Sequence, residues 1–320
     1  MSNAEKRTGE KDSMRTLAVG VPWTNVYGLA RSLVATGLAL TLIFSSPDVL
    51  FSYRLDTGLA PYCGGMRSTL AFCLTGRENL WLVQALCVGV LIIVAIGWRP
   101  RWMCIPHWYV HFSFLMALSS PDGGDQIAAI LTFLIIPIAL TDPRKWHWLN
   151  PPSGTQFVTT NRKALIAVAV VFLACIKIQA SVIYFQAGVA KLSHGEWADG
   201  TAFYYWSSDP TFGVAGWARE IIEWLLQFPP VLVSFAWLPV ALEILLGFSL
   251  FMKSALRRYL PPMAIGLHLF IAVLMGLWSF AFTMWAMDLI LLYPIGATVA
   301  YFAIERKPWK KMADRDSVRV

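Results

Sequence analysis

Charge is what this sequence lacks most. Only 14% of its 320 residues are Asp, Glu, Lys or Arg, while 57% are hydrophobic. Soluble domains carry about a quarter charged residues, so a soluble globular fold is excluded. Histidine and cysteine are scarce too, five of each. That leaves a histidine-rich di-iron desaturase or hydroxylase site without support. No glycine-rich phosphate loop, zinc spacing, nucleophile motif or tandem carboxylate motif occurs. No internal repeat is evident, which weighs against an inverted-repeat transporter. No cleavable leader is evident either: residues 1–25 are polar and of mixed charge, and no small-residue cleavage pattern follows the first apolar run. That run is expected to stay as an anchor.

What is present is a series of long apolar runs, at 26–44, 80–98, 104–118, 126–140, 164–191, 231–252, 263–280 and 284–304. They predict an all-α, polytopic transmembrane helix bundle of about eight spans. The third and fourth runs are short, about 22 Å of helix against about 30 Å of hydrocarbon. Six spans plus a re-entrant hairpin is therefore the alternative. The formal net charge of +7 comes from 26 Lys and Arg, of which 19 lie in the links that are inside if the N-terminus is inside. Five lie in the outside links, and Arg31 and Lys177 fall within spans. This is the positive-inside pattern, and it predicts N-in, C-in topology with no nucleic-acid partner. One transmembrane domain is expected over 21–304, with outer loops 45–79 and 192–228. A disordered tail at 1–20 and a basic tail at 305–320 flank it. In the second outer loop Trp217, Ile221, Trp224, Leu225 and Phe228 recur at helical spacing, with Arg219, Glu220, Glu223 and Gln227 between them. That predicts an amphipathic surface helix, either a lid over Lys191 or a plain anchor.

Ionisable residues inside spans are the candidate chemistry. Lys177, Tyr184, Gly188 and Lys191 share one face of the fifth span, and Gly188 permits close approach of a neighbour. Lys191 is either a buried base or a snorkelling cation that complements the helix C-terminus. Trp197 and Asp199 follow it directly. Glu243 and Asp288 are each expected to pair with a buried cation, with Lys177, Arg31 and His268 as candidates. His107 and His111 share a face, and with His268 they are either three metal ligands or interhelical hydrogen-bonding groups. Cys63 and Cys73 fall in one outer loop, as a structural disulfide or a redox pair. Cys87, Cys104 and Cys175 read as core thiols.

The stretch Tyr184-Phe185-x-Ala187-Gly188-Val189-x-Lys191-Leu192, with Trp197-x-x-Gly200, resembles a signature of the membrane domain of vitamin-K-dependent gamma-glutamyl carboxylase. It is also similar to that enzyme's bacterial relatives, the HTTM (horizontally transferred transmembrane) proteins. The opening Pro22-Trp23-Thr24-Asn25-Val26-Tyr27-Gly28-Leu29-Ala30-Arg31-Ser32 resembles the sporulation-delaying protein B family. So do Cys63 with Cys73-Leu74, the turn 119–125, and 268–280 with Gly276-Leu277-Trp278-Ser279-Phe280. The resemblance covers about residues 20 to 305. The carboxylase likeness implies that Lys191 is the base acting on a quinone, here an isoprenoid quinone. The carboxylase's large lumenal domain has no counterpart in this chain, so carboxylation of glutamate does not follow.

The sporulation-delaying likeness implies a multi-pass protein of the bacterial plasma membrane that matures a secreted antimicrobial peptide toxin. Its partners would be a small companion protein of the SdpA type, the toxin precursor and membrane lipids. On this reading Lys191, Tyr184, Asp199 and His268 carry the chemistry in an outward-facing pocket. Gly188, Trp197, Lys177, Glu243 and Asp288 would line it. The alternatives are a quinone-dependent, carboxylase-like oxidoreductase and a toxin export or immunity protein. Whether the protein is an enzyme stays open at this level.

Overall fold

In hydrocarbon, backbone N–H and C=O groups have only each other as partners, so apolar runs of this length fold as helices. A computed structural model of the protein describes residues 21–54, 58–59, 61–149 and 160–298. The expected tails at 1–20 and 305–320 lie outside the described residues. Eight long helices are present among them. We label these α1 (Asn25–Phe44), α2 (Leu80–Ala95), α3 (Pro100–Ala117), α4 (Gly123–Thr141), α5 (Thr160–Leu192), α6 (Pro229–Gly247), α7 (Leu260–Met275) and α8 (Trp278–Leu292). Helices α1, α4, α5 and α6, with the segments Arg77–Ala95 and Ser254–Met275, make six that are long and apolar enough to cross a membrane. Among the described residues the only sheet is a two-stranded ribbon, Tyr53–Arg54 with Gly58–Leu59. The protein is an all-α polytopic bundle. Its outward faces carry Ile105, Phe133, Val171, Ile178, Val182 and Leu238, each at least 53% exposed, which suits contact with lipid and not with water.

Three boundaries differ from the hydrophobicity pattern. Helices α3 and α4 are 18 and 19 residues long, about 27 Å each, so the expected shortness of the third and fourth runs disappears. Pro100 opens α3 at a position where a missing N–H costs nothing. A reciprocal capping box of Asp122 and Asp125 opens α4, satisfying two end N–H groups. The last span begins earlier than expected. Gly276, at φ 74°, ends α7, and α8 runs from Trp278 to Leu292. Pro294, which cannot donate a helical hydrogen bond, follows its end.

Helix α8 is the centre of the bundle. Its Ala286 and Ile290 share a core with Ala30 and Val34 of α1, and its Met284, Met287 and Leu291 share another with Tyr184 of α5 and Ala264 of α7. On the outer side, by the charge pattern, Cys63 and Cys73 are joined in a disulfide. Phe72 beside it packs on Phe51 and Phe114 at ring distances of 5.0 and 6.0 Å. On the inner side Trp98 and Trp146 form a backbone bridge. There the Arg99 amide donates to the Lys145 carbonyl at 2.7 Å.

Candidate functional site

The site starts from the last turns of α5. Tyr184, Gly188 and Lys191 stand four and three residues apart, on one helix face. Gly188 lets α6 come close: a Cβ added there would stand 2.8 Å from Ile244 Cγ1 and 3.3 Å from the Val240 carbonyl oxygen. That approach sets Glu243 of α6 opposite Lys191. The lysine Nζ donates to both carboxylate oxygens, at 2.7 and 2.6 Å. A weaker contact of 3.4 Å reaches the Ala187 carbonyl. The Trp197 ring, on the single helical turn Gly195–Ala198, lies with its centroid 5.4 Å from Nζ, a cation–π distance. The Lys191 side chain is 24% exposed and that of Glu243 15%. The ammonium is thus paired and roofed, yet within reach of a ligand.

Tyr184 belongs to a second group, about 10 Å further along the helix axis. Its hydroxyl donates to Asp288 Oδ1 of α8 at 2.6 Å. His268 Nδ1 of α7 stands 3.2 Å from Asp288 Oδ2, out of line for a hydrogen bond. The Tyr184 and His268 rings stack at 6.3 Å, and Phe280 meets His268 edge-on at 5.9 Å. Tyr184, His268 and Asp288 are all buried.

The remaining candidates are placed elsewhere or differently. Lys177 leaves the proposed pocket: its Nζ donates to the carbonyls of Leu291 and Tyr293 at 2.9 and 2.6 Å. Those carbonyls end α8 without helical partners, and a cation satisfies them. Glu243 pairs with Lys191, a cation absent from the expected set of Lys177, Arg31 and His268. Arg31 instead donates from Nη1 to His147 Nδ1 at 3.1 Å. Asp199 is exposed and serves its own turn, accepting from the Thr201 amide at 3.0 Å and hydroxyl at 2.6 Å. Those donors hold its carboxyl below the ordinary range. The three-histidine alternative does not form. His107 and His111 pack on each other at 5.0 Å, while His268 belongs to the Asp288 group. Among the described residues no set of three His, Cys, Asp or Glu is placed to hold a metal.

The amphipathic segment is helical at Arg219–Leu225, with apolar residues on both its inner and its outward face. Ala218, Ile222 and Leu226 are buried with Phe203 and Val214, and the Ala215 amide ties the segment to the Leu274 carbonyl of α7 at 2.7 Å. Trp217, Ile221, Trp224 and Phe228 face outward. It is Trp197, and not this helix, that roofs Lys191.

Two features had no place in the sequence reading. One is an inner knot in which Arg144 pairs with Asp142 at 2.8 Å and donates to the carbonyls of His147 and Leu149. The other is a cavity of about 920 Å³ at the outer ends of α1, α3 and α8, with none of the Lys191 group among its lining residues. The Asp122-x-x-Asp125 spacing ahead of an apolar run was the available signal for one wall of it.

The chain is similar to the uncharacterized protein YitO of Bacillus subtilis (strain 168), with 37% identity over 302 residues, 93% of this chain and 95% of that one. It is 34% identical over 276 residues to the sporulation-delaying protein SdpB of the same strain, covering 86% of this chain and 83% of SdpB. No family model matches the chain, and no solved structure matches it. Identity of a third that runs through nearly all of both proteins is kinship of the whole bundle and not of one motif; the chain belongs to the SdpB family.

Proposed function

We propose that the protein is a multi-pass plasma-membrane factor for producing a secreted, sporulation-delaying peptide toxin. Its working group would be the Lys191–Glu243 pair, which joins the outer end of α5 to the last turns of α6. The observation that carries this reading is the 34% identity to the sporulation-delaying protein SdpB over most of both chains. The site is consistent with it. Lys191 is exposed enough to meet a peptide on the outer side, and Glu243 stands ready to exchange a proton with it. A carboxylate or carbonyl of the precursor would compete with Glu243 for the ammonium, and the Trp197 ring would stack on the incoming chain. A small companion of the SdpA type would present the precursor.

Replacing Lys191 by Ala in a producing strain tests this. Mature toxin should fall roughly a hundredfold, the lower end of what a positioned acid or base contributes, while the protein inserts normally. Undiminished toxin would remove Lys191 from the mechanism. Protection of sensitive cells by this protein alone would shift the reading to immunity.

The wider likeness to the carboxylase rests on the Tyr184–Leu192 motif and favours a quinone beside Lys191. The local packing gives that reading less support. Ile244 and Val240 occupy the space over Gly188, and Glu243 takes the ammonium with both oxygens. A quinone ring has no seat between them. Isoprenoid quinone that copurifies with the native protein but not with Lys191→Ala would reverse this order.

A further inference from the structure

The outer cavity is built from parts that the Lys191 site does not use. We propose that it is a separate binding site that takes a cationic, apolar peptide segment. Its walls come from helix ends and connections: the end of α1, the loop at 49–52, the α3–α4 turn, residues 211–212 and the α7–α8 turn. Alternation along the chain puts all of these on the outer side. The floor is apolar, with Leu40, Phe114, Leu118 and Phe282; the rim is hydroxylic, with Ser45, Ser52, Ser120, Thr211 and Ser279. Two carboxylates, Asp122 and Asp125, stand in one wall, and none of the described lining residues is Lys, Arg or His.

The chamber is preformed. The Ser119 amide donates to the Leu50 carbonyl at 3.1 Å, and its hydroxyl to the Ser52 carbonyl at 3.0 Å, joining two walls. The tilted Phe51–Phe72–Phe114 cluster, held beside the Cys63–Cys73 disulfide, backs the same side. Preformed clefts of about 300–1,000 Å³ with apolar floors and a few convergent polar groups are what ligands occupy.

Charge selects the occupant. Burial pushes the Asp122 carboxyl up from the ordinary carboxylate range, against the pull of the helix-end N–H groups. Asp122 is half-buried and Asp125 buried, at 9% exposure. An ammonium or guanidinium placed between them would offset what both lose by leaving water. The volume far exceeds that of a lone ion, and the floor needs apolar side chains next to the cation. Anionic lipid headgroups are repelled by the two carboxylates. A peptide with Lys or Arg beside apolar residues satisfies all of these conditions.

The test needs no toxin, so it stands or falls apart from the production reading. Purified full-length protein in neutral maltoside detergent is titrated with a short dye-labelled peptide of alternating leucine and lysine, followed by fluorescence anisotropy. Binding should weaken by about thirtyfold or more in Asp122→Asn/Asp125→Asn, the lower end for losing a buried charge partner. Asparagine keeps the capping acceptors, so α4 should still start in place. Ser120→Trp, on the exposed rim, should block entry without touching the carboxylates. Equal binding of a leucine–glutamate peptide, or no effect of the Asn pair, would mean an unselective greasy cleft and overturn the proposal. Displacement of the peptide by phosphatidylethanolamine would make it a lipid site, and displacement by calcium a cation site. Either result overturns it too.

Discussion

At the inner end of the bundle Arg144 faces Asp142 with 2% and 0% of their side chains exposed; at the outer end of α5 Lys191 faces Glu243 with 24% and 15% exposed. The inner guanidinium is bonded through every nitrogen. Its Nε and Nη2 go to the carboxylate and its Nη1 to the carbonyls of His147 and Leu149. Each of its three nitrogens is bonded within the protein, and both partners sit on one short link. The outer ammonium spends its bonds on a carboxylate from another helix, with a marginal contact to Ala187 and an aromatic ring beside it. Sealed from solvent, the first pair shapes the fold. The second can open, because water and ligands can replace either partner at little cost.

Three experiments would break or sharpen this contrast, beginning with the largest effect. Arg144→Ala strands the Asp142 carboxylate in the interior and should cost about 3–5 kcal/mol. The check is thermal unfolding in detergent together with the yield of monodisperse protein; a melting temperature unchanged from the parent would show that the inner pair is not structural. Next comes the loop that walls the outer side. Cys63→Ser with Cys73→Ser, ten residues apart, should cost about 2–3 kcal/mol, visible as lower thermal stability and faster proteolysis of the first outer loop. A stable but inactive double variant would point to redox participation instead.

The smallest stability change is expected at the outer pair. Exchanging the partners, Lys191→Glu with Glu243→Lys, preserves the ion pair and should alter stability by about 1 kcal/mol or less. Toxin production should nevertheless be lost, because the ammonium then projects from α6. If production survived the exchange, the pair would be only a strut, like its inner counterpart.

Much of the bundle was legible in the chain. The apolar runs located each long helix to within a turn or so, except the last, whose start and end depended on where Gly276 and Pro294 break the pattern. Lys191, Glu243, Tyr184 and Asp288 stood out because an ionisable group in an apolar run is costly enough to require a reason. Their pairing was not legible. Seven-residue spacing set Lys177 and Tyr184 on one face, yet the unsatisfied end of α8 drew Lys177 away. The segment at 217–228 showed a helical stripe, but its apolar residues outnumber those one face can bury. Only docking against α7 decided that Ala218, Ile222 and Leu226 turn inward while the tryptophans face out.

By itself the sequence determined the membrane class, the helices, the side on which the cations gather and which residues are too polar for their surroundings. These follow from local terms: the backbone must bond within its own helix in lipid, and each basic link contributes its charge wherever the helices later pack. Tertiary structure alone decided that Glu243 meets Lys191, that Asp288 meets Tyr184 and His268, and that an acidic chamber lies between loops far apart in the chain. Those outcomes depend on which helices become neighbours and how each is rotated, and a hydrophobic period says only that a face is buried, not what it is buried against.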